Sequence, residues 1–174
     1  MACGKRYSSC KMFSRILLTT DFSAQAEHAY PWAAQLATSN GGMIHLMHAL
    51  EDDLVATAPV FANYMAPGAL DLGNYREEFR AGARKALEAA AEKLRALGAT
   101  VEVHLVEKGK PSTAVVKSAE EFDCTVIVIS THGRGGLAHL LLGSTAEKVV
   151  RMATVPVLTV HDGDTPPPSG GTSS

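Results

Sequence analysis

The stretch "CTVIVIS", Cys124–Ser130, is almost wholly apolar and runs straight into "THGRGGLAHLLLGST", Thr131–Thr145. A strand with water on one face alternates apolar and polar side chains, whereas an unbroken apolar run suits a strand covered on both faces. Coverage on both faces implies helices above and below a parallel sheet. The glycine-rich loop would then leave the carboxyl end of a central strand, which is where open α/β sheets bind ligands.

The segments on either side keep this alternation. "RILLTTD" (15–21) reads as a first strand, and "FSAQAEHAYPWAAQLATSN" as a helix with Ala26, Tyr30, Ala33 and Ala37 on one face. Pro31 should kink that helix or mark a restart. A Gly-Gly turn introduces "GGMIHLMHAL" (41–50) as the second strand. Residues 51–70 are irregular and rich in Ala, Pro and Gly, a lid or a surface loop. Phe79, Ala83, Ala86, Ala90, Leu94 and Leu97 then step at helical spacing, and Gly98 supplies the stop. "TVEVHLVEKG" (100–109) alternates as a strand with one wetter face. Pro111 suits a first helical position, followed by Val115, Ala119 and Phe122. After the quoted loop come a helix over 144–153 and a strand "VPVLTV" (155–160). The sum is a β-α-β-α-β-α-β-α-β chain, a single three-layer α/β sandwich around a mostly parallel sheet.

A chain of 174 residues fits one domain over 13–161, flanked by tails at 1–12 and 162–174 whose polar or Pro/Gly/Ser-rich composition predicts disorder. With 46% hydrophobic and 20% charged residues the composition is that of a soluble globular protein. A net charge of -2 argues against nucleic acid as a partner. No secretory h-region and no membrane-length apolar run are found, so the expected location is the cytoplasm, without membrane association. Cys3, Cys10 and Cys124 match no zinc or CxxC pattern and are read as reduced thiols, Cys124 as a small core residue.

The loop suggests chemistry. Ser144 and Glu147 have capping-box spacing ahead of the apolar face of Ala146, Val149, Val150 and Ala153, so a helix should begin at Ser144. Unpaired N–H groups and the dipole at such a helix start favour an anion, and Gly143 would let its oxygens approach the main chain. No Gly-Lys-Ser/Thr occurs, so this is not a Walker loop, nor is it a dinucleotide fingerprint. Charge compensation would fall to backbone amides, to Arg134 or to a divalent ion, with Asp21 holding the ion or a sugar. The bland alternative is a turn whose glycines only permit it and whose serine only caps a helix.

Other residues weigh less. His45 and His48, three apart on a strand, point to opposite faces and make no metal pair; core or interface roles are expected. His132 could touch phosphate or merely occupy the loop, Asp21 could serve only the start of a helix, and Arg134 could be a solvated charge. No nucleophile–base arrangement is evident, so no catalytic residue is assigned. Pro156 suits an edge strand, while the uncharged "VLTV" lacks edge protection, which predicts pairing with a second copy along 155–160.

The chain resembles the universal stress proteins over residues 14–160: in "ILLTTDFS", "IHLMHAL", "KGKP", "VIVISTHGRGGLAHLLLGSTAEKVV" and "VPVLTV". The family's nucleotide-binding branch carries G-x2-G-x9-G-[ST], and this chain has Ser130-x2-Gly133-x9-Gly143-Ser144. The resemblance implies an adenine nucleotide alpha hydrolase-like fold with five parallel strands in the order 3-2-1-4-5, and a homodimer. It implies ATP beyond strands 1 and 4, with Mg2+ or Mn2+ as an optional counter-ion. By position, Asp21 and Ala49 would lie near adenine or ribose, and Thr19, Ser130, Gly133, Gly143, Ser144 and Thr145 would line ribose and phosphates. Ser130 replaces the motif's first glycine, so its side chain would either crowd the nucleotide or donate a hydrogen bond to it; Thr19 stands where proline is common. The function implied is an ATP-binding stress-response module, with a nucleotide-free interaction dimer or a slow ATPase as alternatives.

Overall fold

The computed structural model describes residues 13–50, 72–107, 109–131 and 142–166, with side chains from residue 76 onward in the second span. The expected tail 1–12, the irregular segment 51–70 and residues 167–174 of the second expected tail lie outside the described residues. The elements are β1 (Arg15–Thr19), α1 (Ala24–Glu27), α2 (Tyr30–Asn40), β2 (Met43–Ala49), α3 (Leu72–Ala96), β3 (Thr100–Val106), α4 (Pro111–Glu121), β4 (Val126–Ser130), α5 (Ser144–Met152) and β5 (Val157–Val160). Their strands form one five-stranded sheet in the order β3-β2-β1-β4-β5, with every pair parallel. This is the architecture and the strand order expected.

Strand alternation divides the apolar residues between two layers. Ile16, Leu18, Ile44, Leu46, Val126, Val128 and Val160 pack with Tyr30, Ala33 and Ala37 of α2 and Leu87, Ala90 and Leu94 of α3. Leu17, Met47, Ile127 and Ile129 pack on the other face with Val115 and Ala119 of α4 and Ala146 and Val149 of α5. Each fully buried leucine or isoleucine stabilises the fold by about 1.5–3 kcal/mol relative to exposure. Cys124 joins the second layer, where burial pushes its thiol up to about 12.

Pro31 marks a restart. It lies in the first turn of α2, where its missing N–H has no helical acceptor to lose. Pro111 likewise opens α4. In α3 the buried stripe is Ala83, Leu87, Ala90, Ala91 and Leu94, whereas Phe79 and Leu97, expected on that face, are 40% and 49% exposed. For Phe79 the reason is length: 25 helical residues extend about 37 Å while the seven-residue strands beneath extend about 23 Å, so the helix outruns the sheet; Leu97 lies past the helix end, in the turn into β3. Gly98 has φ +85°, a conformation that suits glycine and ends the helix as expected. Val150, assigned to the apolar face of the last helix, is also exposed; Ala146 and Val149 make that contact.

Candidate functional site

The strand order reverses at β1, which has β2 on one side and β4 on the other. Loops leaving the carboxyl ends of β1 and β4 therefore diverge around a crevice, the usual ligand position in this architecture.

The first wall is Thr20–Ser23. Thr20 is buried; its N–H reaches the Met47 carbonyl at 2.9 Å and its hydroxyl is 2.9 Å from the Tyr30 hydroxyl. Burial raises the Tyr30 pKa, so that group stays a neutral phenol across the physiological range. The Phe22 N–H donates to the Thr20 hydroxyl at 3.1 Å while Phe22 itself holds φ +65°. That left-handed backbone costs a non-glycine residue about 1–3 kcal/mol, a strain typical of functional turns. His48, at the end of β2, donates from Nδ1 to the Thr20 carbonyl at 2.7 Å and lies against Phe22, ring centroids 4.3 Å apart.

Asp21 presents one oxygen, Oδ1, to both the Ser23 N–H at 3.0 Å and the Ser23 hydroxyl at 2.6 Å. Ser23 in turn caps α1 through the Ala26 N–H at 3.1 Å. The part proposed for Asp21 at a helix start is thus filled, with Ser23 as the capping residue. Thr19, beside it, is half-buried and in register with Met47; Ala49 is half-buried and in register with Val106.

The second wall begins at Ser130, half-buried at the end of β4 and in register with Val160. Thr131 is buried, its N–H on the Val160 carbonyl at 2.9 Å and its hydroxyl 3.1 Å from His161 Nδ1. The chain returns at Gly143, whose N–H donates to the Thr131 carbonyl at 2.6 Å. A Cβ on Gly143 would stand 2.8 Å from that same carbonyl oxygen, closer than side chains are found, so glycine is demanded here by contact.

One expectation is corrected at this point. Gly143, extended at φ -64° and ψ 151°, is the N-cap of α5, and among the described residues no side chain caps the helix. Ser144 is the first helical residue and not the member of a capping box. The Glu147 carboxylate turns away to pair with Arg151. The close approach to Thr131 selects glycine for the cap position, which displaces the serine by one. Ser144, Thr145 and Ala146 accordingly carry first-turn N–H groups that α5 itself leaves without a helical acceptor.

Of the residues assigned from the sequence, Thr19 ends β1, Asp21 stands on the first wall, Ala49 at the end of the neighbouring strand, and Ser130, Gly143, Ser144 and Thr145 on the second. Gly133 and Arg134, with His132, lie outside the described residues. Sequence reading expected only a core or interface role for His48 and gave Thr20, Ser23, Thr131 and His161 no individual role. The polar run "TTDFS" was a usable signal for Thr20 and Ser23. Contacts such as Thr131–His161, made across two strands, had none.

A family model described as the universal stress protein family matches residues 12–161. A universal stress protein of Thermus aquaticus is 32% identical over 150 residues, covering 86% of this chain and all of its own length. The solved structure of protein MJ0577, from Methanocaldococcus jannaschii, superposes with a TM-score of 0.72 at 27% identity, covering 88% of this chain and 99% of that one. An Archaeoglobus fulgidus universal stress protein in complex with dAMP matches at 27% identity and a TM-score of 0.60, over 85% of this chain and 98% of its own. Another universal stress protein, in complex with cAMP, matches at 25% identity and a TM-score of 0.58, over 85% and 96%. With strand order, mouth geometry and a match across nearly the whole described chain in agreement, this protein belongs to the universal stress protein family.

Proposed function

We propose that this protein binds ATP across the carboxyl ends of β1 and β4 and that occupancy changes its affinity for partner proteins in a stress response. The observation that carries the reading is the contact of Gly143 with the Thr131 carbonyl, which sets the first turn of α5 down beside the end of β4 at the switch point. Amides of Ser144 and Thr145 would take phosphate oxygens, aided by the helix dipole. Asp21 and Ala49 would border adenine and ribose, Thr19 and Ser130 the ribose and phosphates, and Gly133 and Arg134 the phosphate tail. The relatives that hold dAMP and cAMP support an adenine ligand; the triphosphate is the finer reading. Mg2+ or Mn2+ fits as an ion carried mainly by phosphate oxygens, since Asp21 Oδ1 is already engaged by Ser23. We also read the protein as a cytoplasmic homodimer: β5 is an edge strand, and a second copy paired along 155–160 would cover it. Among the described residues no helix is long and apolar enough to cross a membrane.

Mass spectrometry of small molecules released from protein purified without added nucleotide, followed by calorimetric titration with ATP, tests this. Adenine nucleotide in the released pool or saturable heat is expected; absence of both up to millimolar ATP overturns it. Ser130, half-buried at the end of β4, favours one rival, a nucleotide-free interaction dimer. ATP binding that first appears in Ser130→Gly would establish that rival.

A further inference from the structure

Nearer the opposite end of the same strands, β2 and β3 gather groups that the sequence scatters. Register places His45 beside Glu102 and Met47 beside His104. Residues 102 and 104 alternate onto one face of β3, the face that also carries His45. There His45 Nδ1 is 3.1 Å from His104 Nε2 and 3.6 Å from a Glu102 carboxylate oxygen, while His104 Nε2 is 3.9 Å from the other oxygen. A tetrahedral ion with bonds of about 2.0–2.1 Å keeps its ligand atoms about 3.3 Å apart. With one ligand atom from each residue, a single Glu102 oxygen included, the three donors all lie within 4.8 Å of one another, within reach of that spacing once the exposed carboxylate turns.

We propose that His45, Glu102 and His104 form a binding site for a divalent transition-metal ion of the zinc type, with water completing the shell. Two imidazoles and one carboxylate are the donors such ions prefer, and a poor set for Mg2+, which takes oxygen. The rings are held in place. Phe122 stacks on His45 at 5.2 Å and on His104 at 4.0 Å, and the Phe122 carbonyl accepts from Arg15 Nε at 2.8 Å. The His45 side chain is 3% exposed, His104 15% and Glu102 57%, so the carboxylate opens the site to water and can adjust by tenths of an ångström.

Protonation agrees. Burial lowers the pKa of both histidines, with the neighbouring ring and Arg15 adding to the effect at His45, while Glu102 opposes it at both and Glu121 at His104. Both rings are therefore neutral at pH 7, the form that donates to metals. Without metal, the consistent arrangement has Arg15 donating to His45 Nε2 at 3.5 Å and His45 Nδ1–H donating to His104. Binding requires the other tautomer of His45, with its proton on Nε2 and Arg15 yielding a contact already at the outer limit of a hydrogen bond.

Full-length, nucleotide-free protein carrying Cys3→Ser and Cys10→Ser, which removes competing thiols, is titrated with Zn2+ by calorimetry and with Co2+ by visible absorption. One equivalent of Zn2+ is expected, with tetrahedral Co2+ bands and no response to Mg2+. Affinity should fall more than about tenfold in His104→Ala and in Glu102→Gln and stay unchanged in His28→Gln. No saturable Zn2+ binding, or binding equal in all three variants, overturns the proposal. His45→Asn adds a fourth test if it folds; the exposed position of Glu102 keeps the experiment decisive if it does not.

Discussion

The two faces of this sheet are built to different ends. On one, α2 and α3 bury an apolar layer that runs from Val101 of β3 to Val160 of β5, with the polar His48 only at the carboxyl end of β2, against Phe22. On the other, α4 and α5, of 11 and nine residues, cover Leu17, Met47, Ile127 and Ile129. Near the β3 edge that second cover gives way to Arg15, His45, Glu102 and His104, with Phe122 stacked on the two histidines. Polar groups persist inside a fold where partners satisfy them or water reaches them. Here the short helices provide the second condition, and cross-strand pairing the first.

The sharpest way to break this contrast sets Leu46 of β2 against Glu102 of β3, which face opposite layers. Leu46, fully buried in the sealed layer, should cost about 2–5 kcal/mol when changed to alanine, measured by urea unfolding. Had the two faces equal roles in stability, a change at the exposed end of the polar set would cost as much. Gly143→Ala should rank second at about 1–3 kcal/mol, because the new Cβ must move the Thr131 carbonyl or the start of α5. It should also lower ATP affinity, read by calorimetry, since the same displacement shifts the first-turn amides. A variant as stable as the parent would mean that α5 is laid on its face more loosely than the 2.6 Å Gly143–Thr131 hydrogen bond indicates.

These positions also show how far the sequence could be read. "CTVIVIS" revealed a strand buried on both faces, because burial writes itself into composition. The Pro31 restart and the Gly98 stop were legible for a local reason, since φ and a missing donor belong to single residues. Ser144 was misread as a cap because its spacing to Glu147 is local, while the contact that fixes the cap, Gly143 on Thr131, closes a loop across a dozen residues. His45 and His48 were rightly separated onto opposite faces by strand alternation. Glu102 and His104 were invisible as companions of His45, since only the β2–β3 register brings them together. Gly133 and Arg134 lie outside the described residues, so on the phosphate side the structure speaks through Gly143, Ser144 and Thr145.

The third prediction concerns pH. Folding holds His45 and His104 below the ordinary 6.5, so the unfolded chain binds more protons beneath that value. Their contribution is intact above pH 6.5 and is lost as pH falls through 6.5 toward the folded pKa values. Urea midpoints between pH about 7.5 and about 5 should therefore decline more steeply in the parent than in His104→Gln. Parallel profiles would show that the polar end of the second face is solvated like the surface, and the contrast between the faces would narrow.

The smallest effect is expected at Glu102. Its side chain is more than half exposed and its nearest contacts, to two neutral imidazoles, are longer than 3.5 Å. In metal-free protein at pH above 7, Glu102→Gln should change stability by no more than about 0.5 kcal/mol, within the range of ordinary surface substitutions. The same substitution is expected to weaken Zn2+ binding more than about tenfold, so one residue separates what the face does for folding from what it does for a ligand. A loss approaching that of Leu46→Ala would make the carboxylate a structural member of the layer. The histidine pair would then be read as a buried polar network, and the second face as sealed like the first, only with different atoms.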